Sequence, residues 1–479
     1  MNDSSIPISW AIAPLNRIAK FIDYRGKTPK KVESGVPLIT AKNVKKGYLS
    51  IDPKEFIEEG DYESWMTRGI PSKNDVLITT EAPLGNVCCV PELEKFALAQ
   101  RIINLKIDRI YLHGKFLMYQ ILSSDFQNDL IKNATGTTVK GIKASKLKEI
   151  AIKVPPRAEQ ERIVRKIETC FEKIDSTEQN LTKIETLLEK YRESLLTKAF
   201  RGELIPQDPN DEPARVLLEK IRAERAKNQK GKKKAQEFAP VSDDEKPFDI
   251  PESWEWVRLG DLCKAITYGA TASASQSGEF KFLRITDLTE NGVNWSSVPW
   301  CTIKGGEKYL LKSGDIVVAR TGGTVGKTHR LLSPPDNAIY ASYLINISIL
   351  PSLNNSAYFS LFLKSPFYWK QIEEKAQGAA QPNVNATKLA DIPVPLPPID
   401  EQMRIANRLQ NSMAQLEKRK NEISNSMRLI SLFKESILKK AFEGSLVAQI
   451  DSEGTGHELL EMVKKSKCTE KKGEYNEQR

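Results

Sequence analysis

The residues nearest to a catalytic signature are Thr321-Gly322-Gly323-Thr324-Val325-Gly326-Lys327-Thr328. A phosphate-cradling loop needs Gly-x4-Gly-Lys-Ser/Thr between a strand and a long helix, so that backbone N–H groups and the helix N-terminus surround the anion. Here Thr321 stands in place of the first glycine, and Pro334-Pro335 falls where the helix should run. The run therefore reads as a glycine-rich turn, which leaves Lys327, His329 and Arg330 as candidates for contact with a nucleic-acid backbone. A nuclease centre can be drawn through Pro335-Asp336 and Glu373-x-Lys375. Those acids are expected on a loop and a helix, not on adjacent strands. The chain has no Asn-Pro-Pro-aromatic tetrapeptide and no glycine-rich methyl-donor loop. Its three histidines (His113, His329, His457) and six cysteines (Cys88, Cys89, Cys170, Cys263, Cys301, Cys468) show neither zinc-ligand spacing nor a disulfide framework. The expectation is a chain with no catalytic centre, no metal and no cofactor of its own. Scattered cysteines, no apolar run approaching a membrane span and no signal-like N-terminus point to a cytoplasmic protein.

What remains is electrostatics. Lys and Arg number 72 against 62 Asp and Glu, for a net charge of +10, and the basic residues recur in polar loops. The first half has Tyr24-Arg25-Gly26-Lys27-Thr28-Pro29-Lys30-Lys31, Lys42-Asn43-Val44-Lys45-Lys46 and Lys132-Asn133-Ala134-Thr135-Gly136-Thr137-Thr138-Val139-Lys140. The second has Thr267-Tyr268-Gly269-Ala270-Thr271, Arg284-Ile285-Thr286-Asp287 and Ala376-Gln377-Gly378-Ala379-Ala380-Gln381-Pro382-Asn383-Val384-Asn385, with Arg320 beside the glycine-rich turn. Lysine and arginine neutralise phosphates, whereas Asn, Gln and Arg can pair with base edges. The candidate DNA contacts are thus Arg25, Lys27, Lys30, Lys31, Lys42, Asn43, Lys45, Lys46, Lys132, Asn133, Thr135, Thr137, Thr138 and Lys140 in the first half. In the second they are Tyr268, Thr271, Arg284, Thr286, Arg320, Lys327, Arg330, Gln377, Gln381, Asn383 and Asn385. The competing readings are a coiled-coil scaffold with a solvated basic face, and a nucleotide-binding enzyme using residues 321–328.

The elements that must position these loops are duplicated. Val154-Pro155-Pro156-Arg157-Ala158-Glu159-Gln160 recurs as Leu396-Pro397-Pro398-Ile399-Asp400-Glu401-Gln402, and Lys198-Ala199-Phe200-Arg201-Gly202 as Lys440-Ala441-Phe442-Glu443-Gly444. The copy of residues 321–328 in the first half, Glu81-Ala82-Pro83-Leu84-Gly85-Asn86-Val87, has no lysine. Between each pair of motifs runs a heptad: Ile167, Ile174, Leu181, Leu188 and Leu195, then Leu409, Leu416, Ile423, Ile430 and Ile437. A second seam is expected at Ile163, Cys170, Thr177, Ile184 and Tyr191, matched by Ile405, Ser412, Arg419, Ser426 and Phe433. A sustained heptad predicts two long helices packed on each other as a coiled coil. Proline before the pattern, acids in its first turn and glycine after its end mark the helix limits. The front parts read as mixed α/β, with strands such as 76–78, 102–105, 316–318 and 344–347 and helices over 115–129 and 357–375. The predicted segments are a mixed α/β domain over 1–155, a coiled-coil helix over 156–203, a short helix and charged linker over 204–251, a second α/β domain over 252–397, a second coiled-coil helix over 398–446 and a C-terminal helix and charged tail over 447–479.

Two variable α/β domains alternating with two similar helices, each introduced by Pro-Pro and Glu-Gln and closed by Lys-Ala-Phe-x-Gly, resemble the specificity subunit of type I restriction–modification systems. Leu38-Ile39-Thr40-Ala41-Lys42-Asn43-Val44, the Thr135–Ile142 run and residues 378–389 add to the resemblance. It implies two α/β (α+β) target-recognition domains separated by an antiparallel coiled coil, with a pseudo-two-fold internal repeat. It also implies that each domain reads half of a bipartite DNA target, and that the helices act as spacer and docking surface. The implied partners are double-stranded DNA, two DNA methyltransferase (M) subunits carrying S-adenosylmethionine, and restriction/translocase (R) subunits using ATP and Mg. The different side chains of residues 132–140 and 376–385 make the expected target non-palindromic.

Overall fold

The computed structural model describes residues 6–24, 29–93, 95–228, 238–289, 292–350, 355–376 and 383–477. Arg25, Lys27, Gln377 and Gln381 lie outside the described residues. The chain forms two compact units, one of residues 1–182 with 424–479 and one of residues 183–423. The divisions fall inside the two long helices.

Within the first unit, a four-stranded antiparallel sheet runs in the order Ala19–Asp23, Ile102–Ile107, Val76–Thr79, Val87–Cys89. A three-stranded sheet runs Phe56–Ile57, Val36–Ile39, Ala97–Leu98, the last pair being parallel. A ribbon of Ala11–Pro14 and Ala151–Val154 closes the base. The second unit repeats this order with Cys263–Tyr268, Leu344–Ile349, Ile316–Ala319 and Thr328–Arg330, then Trp300–Cys301, Phe280–Leu283 and Ala338–Tyr340, then Glu255–Arg258 with Pro393–Leu396. Central strands such as Val76–Thr79 and Ile316–Ala319 are buried on both faces, which is why they read as continuous apolar runs. The neighbouring strands Ile102–Ile107 and Leu344–Ile349 each carry a buried asparagine that donates to an aspartate: Asn104 to Asp75 and Asn346 to Asp315, both at 3.0 Å.

The long helices are Arg157–Phe200 and Ile399–Phe442, one residue shorter at the start than the sequence predicts. In the first unit the beginning of one helix (Ile163, Val164, Ile167) and the end of the other (Leu438, Ala441, Phe442) enter the same core. Further along, Lys434 meets Asp175 at 2.8 Å and Glu178 at 2.9 Å. In the second unit the roles exchange: Ile405, Ala406 and Leu409 join Leu195, Leu196, Ala199 and Phe200, and Lys420 meets Glu189 at 3.3 Å. The helices are therefore antiparallel in both. Ile167, Leu195, Leu409, Ile423 and Ile430 are buried, while Ile174, Leu181, Leu188, Leu416 and Ile437 are half-buried. The second seam is a correction. Ile163 and Ile405 are buried at its ends, but Thr177, Ile184, Tyr191, Arg419 and Phe433 face solvent. Two helices share one stripe, and a seam holding Thr177, Arg419 and Ser426 has too little apolar surface to compete for it.

The helices expected over 115–129 and 357–375 are each broken. The first becomes Gly114–Leu122 and Ser124–Lys132, with Ser123 extended between them. The second becomes Ser356–Phe362 and Pro366–Ala376, because Pro366 takes the first-turn position where a missing N–H costs nothing. The charged linker departs from expectation as well. Among its described residues, Arg258 makes a two-pronged ion pair with Glu245 (2.6 and 2.8 Å) and donates to the Ala239 carbonyl. Phe248 packs on Trp256 and Phe367 with centroids 5.1 and 4.3 Å apart. Residues 238–250 are thus a strap docked on the second recognition domain.

Candidate nucleic-acid interface

In each unit the polar loops gather at one end of the four-stranded sheet. At the other end of the first unit's central strand, Ile102–Ile107, the chain leads directly to the long helix: Gln160 accepts from His113 N at 2.9 Å and donates to Tyr111 O at 3.2 Å. Six extended residues separate that helix contact from the loop end, a span of roughly 20 Å.

At the loop end, Thr80 N donates to Arg101 O (3.0 Å) and Ile142 N to Thr80 O (3.0 Å). The Arg101 guanidinium sits on Glu81 at 2.8 Å. Residues 135–141 form a loop closed by two bonds between Thr135 and Gly141, of 2.8 and 2.9 Å. Gly136 has φ +109°, and a Cβ there would lie 2.2 Å from the Val139 carbonyl oxygen, so this tight turn requires glycine. The loop therefore holds Thr135, Thr137, Thr138 and Lys140 exposed. The loop of Lys45 and Lys46 is tied beside the sheet by Asn86 Nδ2 to Val44 O (2.9 Å) and Gly47 N to Val87 O (2.8 Å). Lys30, Lys42 and Lys46 are exposed and Lys45 half-exposed. Lys31 is held by Glu55 at 2.7 Å, and Lys132 by Asp129 at 3.2 Å. The Asn133 amide donates to the Asp129 carbonyl at the end of its helix (2.9 Å).

Asn43 is a correction. It is 1% exposed. Its Oδ1 accepts from Thr40 N and Oγ1 (2.9 and 2.8 Å), and its Nδ2 donates to Ser50 O and Pro53 O (3.1 and 3.0 Å). All of its amide groups hold a turn, leaving none for a base edge. The second unit makes the same turn with Asp287, which accepts from Arg284 N (2.9 Å) and binds the Arg284 guanidinium (3.0 and 2.8 Å). Arg284 is thus committed to a neighbouring carboxylate rather than presented free, whereas Thr286 is exposed.

Elsewhere in the second unit, residues 321–327 turn the hairpin between Ile316–Ala319 and Thr328–Arg330, closed by Gly326 N to Ala319 O and Ala319 N to Lys327 O, both 2.9 Å. A phosphate loop leads into a helix; this one leads into an antiparallel strand. Lys327 is exposed at the base of this turn. Arg320 lies with its guanidinium 4.9 Å from the Tyr268 ring centroid, and the Tyr268 hydroxyl accepts from Ala386 N at 3.0 Å. Asn383 is bridged to Thr321 and exposed beside it, as is Thr271 on its own loop. Two further assignments are corrected. Asn385 caps the helix Ala386–Ala390, its Oδ1 accepting from Lys388 N at 2.7 Å. Arg330 is half-buried beside Ser356 Oγ (3.4 Å), where burial lowers its pKa, and so stands away from the loop cluster. Sequence reasoning missed Arg101 and exposed Tyr343. Both immediately precede the central strand of their copy, the only sequence signal that could have found them. Burial also pushes the thiols of Cys88 and Cys89 up to about 12, which leaves them without nucleophilic character.

The Type I restriction modification DNA specificity domain matches this chain twice, over residues 7–186 and 251–425. The EcoKI specificity subunit of Escherichia coli (strain K12) is 24% identical across 97% of this chain and 97% of its own length. The EcoBI specificity subunit of Escherichia coli is 22% identical across 96% and 93%. A solved chain from a study of assembly and conformational transition in a type I R-M system has the same fold, with a TM-score of 0.67 at 18% identity, covering 92% of this chain and 99% of that one.

Proposed function

The chain belongs to the type I restriction–modification DNA specificity family, and from that premise we propose that it is the non-catalytic subunit that recognises a bipartite DNA target for partner enzymes. Each recognition domain reads one block through its loop-end surface. Methylation and cleavage reside in partner chains, a methyltransferase with its S-adenosylmethionine and a restriction/translocase with its ATP and Mg. The observation that carries this reading is the double match of the family's domain to two copies that share an architecture yet present different side chains at equivalent loops. A protein that only joined others would gain nothing from such divergence.

The long helices are the docking surface for two methyltransferase subunits. Supporting this, Leu187 (61% exposed) and Tyr191 (53%) on one helix answer Leu429 (49%) and Phe433 (62%) on the other. Each pair is spaced i, i+4, so it forms one apolar patch on a helix face. The test is co-expression with the methyltransferase encoded beside it, followed by mapping of methylated sites. The expected result is a motif of two specified blocks separated by a fixed gap. No chain-dependent methylation, or a continuous motif, would overturn the proposal.

A further inference from the structure

The backbone identifies one equivalent place in the two units. Thr80 N donates to Arg101 O in the first (3.0 Å), and Arg320 N to Tyr343 O in the second (3.1 Å). The next residues agree: Glu81 is bridged to Gly141, and Thr321 to Asn383. Thr80 thus corresponds to Arg320, and Arg101 to Tyr343. Each unit therefore places an arginine in this pair of positions, but the two come from opposite strands. Residue identity alone does not match the two arginines, because each stands opposite a different residue type in the other copy.

The two arginines are also held in different ways. In the first unit Glu81 takes Nε, the inner edge of the Arg101 guanidinium, at 2.8 Å. In the second, no carboxylate among the described residues is involved. The Tyr268 ring supports the plane of Arg320 from 4.9 Å, Nη1 lies 3.4 Å from Ser342 O, and Nε is buried without a hydrogen-bond partner among the described residues. Both arrangements fix the orientation of a planar fork, as a bidentate contact to the O6 and N7 of guanine requires. The surroundings suit a base rather than a backbone: exposed Tyr343 and Asn383 beside Arg320, and the threonine loop 135–140 beside Arg101.

We propose that Arg101 and Arg320 are the guanine-reading residues of the two recognition domains, each fixing one G·C pair in its own block through the O6 and N7 acceptors. This rests on the function proposed above. The closing experiment separates the two ideas, because the motif mapping described there comes first. If the wild-type complex methylates no two-block motif, the family-level reading fails and this one with it.

With the motif in hand, the assembled complex is tested on duplexes in which single guanines are replaced by 7-deazaguanine, which lacks the N7 acceptor but pairs normally. One guanine in each block should be sensitive, with binding weakened roughly tenfold. In Arg320→Ala that penalty should vanish in one block and persist in the other; Arg101→Ala should show the reverse. Arg320→Lys and Arg101→Lys, which keep the charge and lose the fork, guard against a folding defect: each should retain salt-dependent binding to unrelated DNA. Lack of any sensitive guanine, penalties that survive in both variants, or both variants erasing the same penalty would overturn the proposal.

Discussion

One buried carboxylate begins each long helix. Glu159 accepts from Trp10 Nε1 at 3.1 Å and Gln449 at 2.7 Å; Glu401 accepts from Trp254 Nε1 at 2.9 Å and Gln207 at 2.7 Å. Burial raises both above the ordinary 4.5, and these hydrogen bonds oppose the rise. A raised carboxyl gives its full stabilisation below pH 4.5 and loses it as pH climbs through the raised value. Glu401→Gln should therefore gain in melting temperature relative to wild type as pH rises from 4.5, and a pH-independent difference would refute this. Glu245 has the opposite sign. Its hydrogen bonds from Arg258 hold it down at about 2, so its contribution is present above 4.5 and fades as pH falls toward 2. Hydrogen-exchange protection, corrected for the intrinsic rate, should fall in residues 238–250 in that window, and protection unchanged from pH 5 to 2 would show that another contact holds the strap. The sequence could not distinguish such roles. Asn43 and Asn383 look alike in a polar loop, yet one is sealed in a turn and the other stands exposed. What separates them is which backbone groups fold back within reach, and that depends on sheets assembled from distant segments.

At the level of elements, the heptad was legible because helix period and burial coincide over many turns, whereas the breaks at Ser123 and before Pro366 are local decisions inside apolar stretches. The lone buried stripe has energetic consequences. Ile423 and Ile430 are 8% and 9% exposed, so an aspartate at either would bury an uncompensated charge. Ile423→Asp and Ile430→Asp should each cost about 3 kcal/mol or more by denaturant unfolding. Thr177→Asp, on the solvent-facing row, should stay within about 0.5 kcal/mol. The reverse ordering would mean that the helices pack on the other seam. Leu187→Asp and Phe433→Asp should leave stability equally untouched, since both side chains are exposed. They should instead weaken assembly with the methyltransferase, read as loss of the complex in sedimentation. Normal assembly in both variants would place the docking surface elsewhere.

On the scale of the whole chain, the duplication is reciprocal. The segment after the first long helix, with Ala214, Leu217 and Ile221, joins the core holding Trp254 and Leu259, and the segment after the second, with Leu459, Leu460 and Val463, joins the core holding Trp10 and Leu15. Arg404 pairs with Asp211 in one unit and Arg162 with Glu453 in the other. The repeat itself was plain in the sequence; this exchange of tails was not, because it concerns which copy each tail packs on. Each unit therefore takes the first part of one long helix and the last part of the other, and the helices belong to both. The divisions between the units fall only inside these helices, and we propose that helix length sets the gap between the two DNA blocks. Seven residues added to both helices, after Thr182 and after Ile423, would keep the seam in phase, because the buried row repeats every seven residues, and would lengthen each helix by roughly 10 Å. The loop-end surfaces would be unaltered. The expected outcome is a methylated motif with the same two blocks and a different gap. Three residues added at the same points should instead turn the stripe out of register and destabilise the pair. A heptad variant that altered the blocks while keeping the gap would show that base reading and spacing are not divided between domains and helices.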